Sequence, residues 1–283
     1  MPEMPTPPAE RLHNLMRSGE NALSLAEGAL IVAQHRYPSL DVRDYLARLD
    51  ASAEILRRRL PADAGRTYLI SRLNHFLFDE LGYAGNDDNF YDPRNSMLND
   101  VIERRRGIPI TLSIVYLEVG RRLGLPLGGV SFPGHFLVRC AADGGVFLLD
   151  PYYGGVTLSE AELRDRLARQ GNAPETKEAP LGRYLQLARK SEILARLLHN
   201  LKLIYLQGSD LKAALDVISM ILVASPEQTR ELRDRGLIYR QLECYQAALK
   251  DLERYLELEP EARNDELLQR VLAELRGRSA TLH

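Results

Sequence analysis

The chain has 283 residues, 45% of them hydrophobic and 27% charged, which suits a globular protein of two ordinary domains. Lysine and arginine number 37 against 39 acidic residues, and a net charge of −2 argues against bulk electrostatic binding of nucleic acid. Cys140 and Cys244 are too few and too far apart for a disulfide framework or a metal site, and no apolar run reaches the roughly 18 to 20 residues that span a bilayer. The expectation is a cytoplasmic protein with no cofactor, no metal, no membrane segment and no direct nucleic-acid partner.

Residues 1–8 contain four prolines and read as a disordered tail, without the basic flank and apolar core of a secretory signal. Helical spacing of apolar residues follows over Glu20 to His35 and Arg43 to Leu60, with Tyr37-Pro38 between them, and again over Leu69 to Leu81, ended by Gly82. Gly85 to Asp92 is a polar, acidic loop. It lacks the central glycine and terminal glutamate of a calcium loop and reads as Asx turns whose side chains bond their own backbone. Asn95 and Ser96 are expected to cap a helix from Met97 to Arg105, and Arg104-Arg105-Arg106 to lie as solvated cations near its C-terminus.

The next helix should open at Pro109, where a missing N–H costs nothing, and run to Leu123 with apolar residues on nearly every side, as a core helix does. Gly124 and Pro126 stop it. Phe136 to Val138 and Val146 to Leu149 read as strands joined by a turn at Ala142-Asp143-Gly144-Gly145. A two- or four-residue loop centred on Asp143-Gly144 pairs His135 with Tyr152 and Leu137 with Asp150. His135 and Asp150 then share a face as diagonal neighbours, close enough to meet, whereas a three-residue loop places them on opposite faces. Cys140, five residues beyond His135 on the same strand, faces away from it.

A helix N-terminus, a strand histidine and an aspartate on the next strand form the layout of transglutaminase-like and papain-like cysteine enzymes, in which helix dipole and imidazolium activate a thiol and the carboxylate orients the ring. The chain resembles the bacterial SirB-type family of regulators of sirC expression, which joins a transglutaminase-like domain to tetratricopeptide repeats. The resemblance rests on Asn86 to Tyr91 with Asn95-Ser96, on Arg105 to Pro109, on Pro133 to Phe136, on Leu149 to Pro151 and on Arg233 to Leu237, and covers most of the chain. It implies an α+β fold: N-terminal helices and a transglutaminase-like domain over residues 9–170, a linker at 171–180, and an all-α repeat domain over 181–283. Laid on the general transglutaminase-like pattern, His135 and Asp150 match, and the nucleophile position falls on Pro109, which has no nucleophile. The resemblance therefore implies the scaffold of the enzyme with a vestigial pair. Thr111 and Ser113 are the candidate substitutes, and a hydroxyl with no adjacent base is inert; a helix-interior hydroxyl bonded to a carbonyl is the plainer reading.

Ser159 and Glu162 form a capping box for a further helix. From Leu197 the pattern repeats: Tyr205, Ala214 and Pro226 recur at Tyr239, Ala248 and Pro260, each displaced by the same interval, which is the tetratricopeptide period. Tyr205 and Tyr239 belong to the repeat framework. Tyr184 to Leu194 and Asp265 to Leu275 should flank the two repeats as extra helices. The favoured function is a non-catalytic protein-interaction or regulatory module that binds a protein or peptide through its repeats. An enzyme with a substitute nucleophile and an indirect regulator of gene expression are the alternatives.

Overall fold

The computed structural model describes residues 7–169 and 180–280, so residues 1–6 of the expected tail and 171–179 of the expected linker lie outside the described residues. Helix α1 (Pro8–Arg17) opens at the last proline of that tail, whose fixed φ suits a first helical position. By internal contacts the chain divides into two compact units, Leu15–Leu197 and Met1–Asn14 with Leu198–His283.

The unit of residues 15–197 begins with α2 (Leu25–Ala33), α3 (Val42–Arg57) and α4 (Arg66–Asn74), which continues as a π-helical turn over His75–Glu80. Ser24 caps α2 by accepting the Glu27 N–H at 3.3 Å, and Asp41 caps α3 by accepting the Arg43 N–H at 2.9 Å. Helix α2 is buried along nearly all of its length, because a later helix closes its remaining side: a Cβ on Gly28 would stand 2.5 Å from Leu194 Cδ1. Two short strands, β1 (Ala84–Gly85) and β2 (Arg106–Gly107), pair in parallel around α5 (Leu98–Arg104). The centre of the unit is α6 (Pro109–Arg122), in which every residue from Pro109 to Gly120 is buried. Even its Glu118 is inside, satisfied by Arg122 at 2.5 Å, Arg121 at 3.2 Å and the Ala26 N–H at 3.4 Å.

An antiparallel meander packs on this helix in the order β3 (Leu127–Val130), β4 (Leu137–Ala142), β5 (Gly145–Asp150) and β6 (Val156–Thr157), followed by α7 (Glu160–Arg169). Strand β3 reads poorly from sequence because two of its four residues are glycine. Gly129 is needed there, since Phe136 Cζ and Ile193 Cδ1 would lie within 2.8 and 2.9 Å of a Cβ.

Helix α5 departs from expectation. Its N-cap is Met97 with no side-chain cap, and Asn95 turns away to hold the preceding loop, donating to Asn89 O at 2.7 Å and accepting from Asn86 Nδ2 at 3.0 Å. A fully buried amide with three loop partners is better satisfied than one capping a seven-residue helix. The Asx bonding expected of residues 85–92 is part of this network, with Asn86 Oδ1 accepting the Asn89 N–H at 3.3 Å.

The expected boundary at residue 181 also shifts. Residues 181–197 pack with the first unit: Val130 bridges Leu187, Ala188 N–H donates to Gly129 O at 2.9 Å, and Lys190 Nζ donates to Leu23 O at 2.7 Å. In place of a helix over Tyr184 to Leu194 there is a 3-10 turn, Leu181–Tyr184, and then α8 (Lys190–Gln207), within which the division between units falls.

The second unit continues with α9 (Leu211–Ala224), α10 (Arg230–Gln241), α11 (Tyr245–Leu258) and α12 (Glu266–Ala280). Helices α9 and α11 start and stop at equivalent positions of the two repeats, and so do the left-handed turn residues Ser209 (φ 58°) and Glu243 (φ 60°) that precede them. Ala214 and Ala248 are fully buried where paired helices meet. Tyr205 is buried, and Tyr239 packs against the cluster of Leu252, Tyr255 and Leu272, so both rings brace the repeats. Helix α12 flanks the second repeat over the stretch expected to do so.

Candidate functional site

The β4–β5 hairpin turns on two residues, Asp143 and Gly144, with Ala142 paired to Gly145 and Val138 to Leu149. Gly144 takes φ +100°, which such a turn demands, and Asp143 Oδ2 is anchored by the Arg66 N–H at 2.7 Å. Even parity places His135 and Asp150 on one face. His135 Nε2 stands 2.9 Å from each carboxylate oxygen of Asp150, which has no exposed surface. Two further donors reach that carboxylate, the Tyr152 N–H at 3.2 Å and Arg166 Nη1, from α7, at 2.6 Å. Burial alone would raise the Asp150 pKa; the hydrogen bonds and charges of His135 and Arg166 outweigh it and hold the carboxyl below its ordinary range.

The turn that presents His135 is itself clamped. Arg196 donates to Ser131 Oγ at 2.6 Å, to Phe132 O at 3.1 Å and to His135 O at 2.8 Å, with its guanidinium over the Phe136 ring. Tyr153 stacks on the imidazole at 6.1 Å between centroids and 16° between planes, and Tyr152 meets it edge-on at 6.0 Å. The Tyr152 hydroxyl donates to Asp87 at 2.7 Å, and its ring lies so close to Gly85 that a Cβ there would collide with it. Beside the pair opens a cleft of about 430 Å³, lined by His135, Tyr153, Val156, Glu162, Arg166 and Arg169 among others.

Pro109 is not among the lining residues of that cleft. The first turn of α6 is buried from Ile108 to Leu112, as a core helix requires. The Thr111 hydroxyl donates to Asn95 O at 2.7 Å and accepts the Ile108 N–H at 3.1 Å, so it is occupied in closing that turn. Ser113 is buried with no hydrogen-bond partner among the described residues. Cys140 pairs with Phe147 on the sheet face opposite to His135, and burial pushes its thiol pKa up. The structure thus joins His135 to Asp150, and Pro109, Thr111, Ser113 and Cys140 are not among the residues that line the cleft beside them. Sequence reasoning missed Arg166, Tyr153 and Arg196. For Arg166 the available signal was its place beside Leu163 and Leu167 on an amphipathic helix that follows the sheet.

Residues 43–199 match the Transglutaminase-like superfamily, and residues 201–273 match the Tetratricopeptide repeat. The chain belongs to the transglutaminase-like superfamily. Its relatives match over nearly their whole length: a UPF0162 protein of Xylella fastidiosa is 40% identical over 96% of each chain. Protein SirB1 of Salmonella typhimurium is 29% identical, over 93% of this chain and 97% of that one. On these matches the SirB-type resemblance and the α+β fold with a repeat domain stand. Among solved structures the chain is similar to menin, with a TM-score of 0.38 and 10% identity over 87% of this chain and 69% of that one.

Proposed function

We propose that this chain is a non-catalytic transglutaminase-like protein whose repeats carry a protein partner. The observation that carries the reading is the histidine–aspartate pair, His135 Nε2 at 2.9 Å from each Asp150 oxygen, together with the resemblance by which the nucleophile position falls on Pro109, a buried residue. Covalent acyl transfer needs a nucleophile within reach of its base. Thr111 is tied to a backbone carbonyl and Cys140 lies across the sheet, which supports silence over substitution. Asp150 is in turn engaged by Arg166, an arrangement that stabilises the site as it stands.

Leu203 and Leu237, at equivalent positions on the first helices of the two repeats, are 56% and 37% exposed. Exposed leucines at such positions suit a peptide laid along the repeats. The combined substitution Leu203→Glu and Leu237→Glu is expected to abolish co-purification of the partner from cell extract while the far-ultraviolet circular dichroism spectrum stays unchanged. Undiminished capture of the same protein would remove the repeats from the binding role.

A further inference from the structure

The cleft beside the pair holds donors and acceptors that have no partner among the described residues. Arg166 makes one bond to Asp150 through Nη1, leaving its other N–H groups. Arg169, one turn further along α7, has no ion-pair partner among the described residues. Glu162 receives both the N–H and the hydroxyl of Ser159 through Oε2, at 2.7 Å each, so that Oε1 is left over. Tyr153 and Val156, 53% and 49% exposed, give the same cleft an apolar wall.

These groups have mixed sign. A bare anion attracted by two arginines is repelled by Glu162, and a cation meets the reverse. A ligand that satisfies all of them carries an oxyanion for the guanidinium groups, an N–H for Glu162 close by, and an apolar group for the tyrosine and valine. Planar carboxylate matches the arginine fork in two-point geometry. The terminal residue of a peptide has all three parts on one carbon: α-carboxylate, amide N–H and side chain. We infer that this cleft binds the C-terminal residue of a peptide chain with an apolar side chain. Its volume of about 430 Å³ is of the size that encloses one small ligand. The inference rests on the non-catalytic reading only in that the bound peptide leaves unchanged.

The test uses the full chain and fluorescence anisotropy of a fluorescein-labelled peptide, Gly-Gly-Ser-Gly-Leu, with a free C-terminus, beside the same peptide as its C-terminal amide. The acid should bind about tenfold or more tightly than the amide, as expected for loss of a charge-assisted pair. Arg169→Gln should lose a comparable factor with the melting temperature unchanged, since Arg169 is exposed. Tyr153→Ala should weaken the acid peptide as well. Sodium acetate should compete poorly. Equal binding of acid and amide, binding of neither, full affinity in Arg169→Gln, or displacement by acetate at concentrations like those of the peptide would each overturn the site. Mass spectrometry of the recovered peptide separates the two readings: a bound but altered peptide refutes the non-catalytic proposal and keeps the site, and an unbound peptide does the opposite.

Discussion

Asp150 carries a charge with no exposed surface, which is stable only because His135, Arg166 and the Tyr152 N–H surround it. Burial opposes that charge, and the hydrogen bonds and charge interactions with His135 and Arg166 favour it, with the balance toward a lowered pKa. A carboxyl more acidic in the folded than in the unfolded chain adds stability above the unfolded value of about 3.9, and the gain is lost as pH falls through the folded value. Asp150→Asn should therefore cost about 3 kcal/mol at neutral pH, the order found when one member of a buried ion pair is removed. In urea unfolding between pH 5 and pH 3, the gap from the unmodified chain should narrow as pH falls below about 4. A gap that widens below about pH 4 would contradict this balance. His135 and Asp150 were legible in the sequence because strand alternation and a two-residue turn fix which side chains share a face. Arg166 was not, since an arginine on an amphipathic helix looks the same whether it meets water or a buried carboxylate on an earlier strand.

At the scale of elements, close approach of helices is set by a few small residues. A Cβ on Gly236 would stand 2.8 Å from Leu252 Cγ and 3.2 Å from Ala248 O, so α10 lies against α11 through a glycine–alanine contact. Gly236→Ala should destabilise the repeats by about 1–3 kcal/mol, an overpacking cost that exceeds the helix-propensity gain of alanine. Thermal unfolding monitored by circular dichroism checks it, and an unchanged or raised midpoint would mean that the two helices can part at little cost. One repeat earlier the position of Gly236 is held by Lys202. That side chain is nearly buried, and its ammonium reaches Glu231 at 2.7 Å and Asp234 at 2.6 Å on α10. Helix α6 and the repeat helices were legible because a buried stripe or a fixed period is written in neighbouring residues. The cap of α5 was not, because Asn95 is drawn to loop carbonyls that a local reading cannot weigh against a helix end.

For the whole molecule, the order of a transglutaminase-like domain followed by tetratricopeptide repeats follows from the motifs, and the family matches over residues 43–199 and 201–273 bear it out. The division between compact units was less legible. Composition marks a linker at 171–180, yet residues 181–197 pack with the first unit through Leu194 on Gly28 and Ile193 on Gly129, contacts between distant stretches of the chain that no local pattern announces. On the function proposed above, a scaffold with His135 and Asp150 joined has no nucleophile to serve. The direct measurement is incorporation of a fluorescent primary amine into a glutamine-containing protein by the purified full chain at neutral pH, with release of ammonia followed in parallel. No incorporation and no ammonia above the rate without protein is the predicted result. Turnover that His135→Ala abolishes and alkylation of Cys140 leaves intact would show a substitute nucleophile beside the pair, and turnover lost on alkylation of Cys140 alone would show a thiol in use; either contradicts the account.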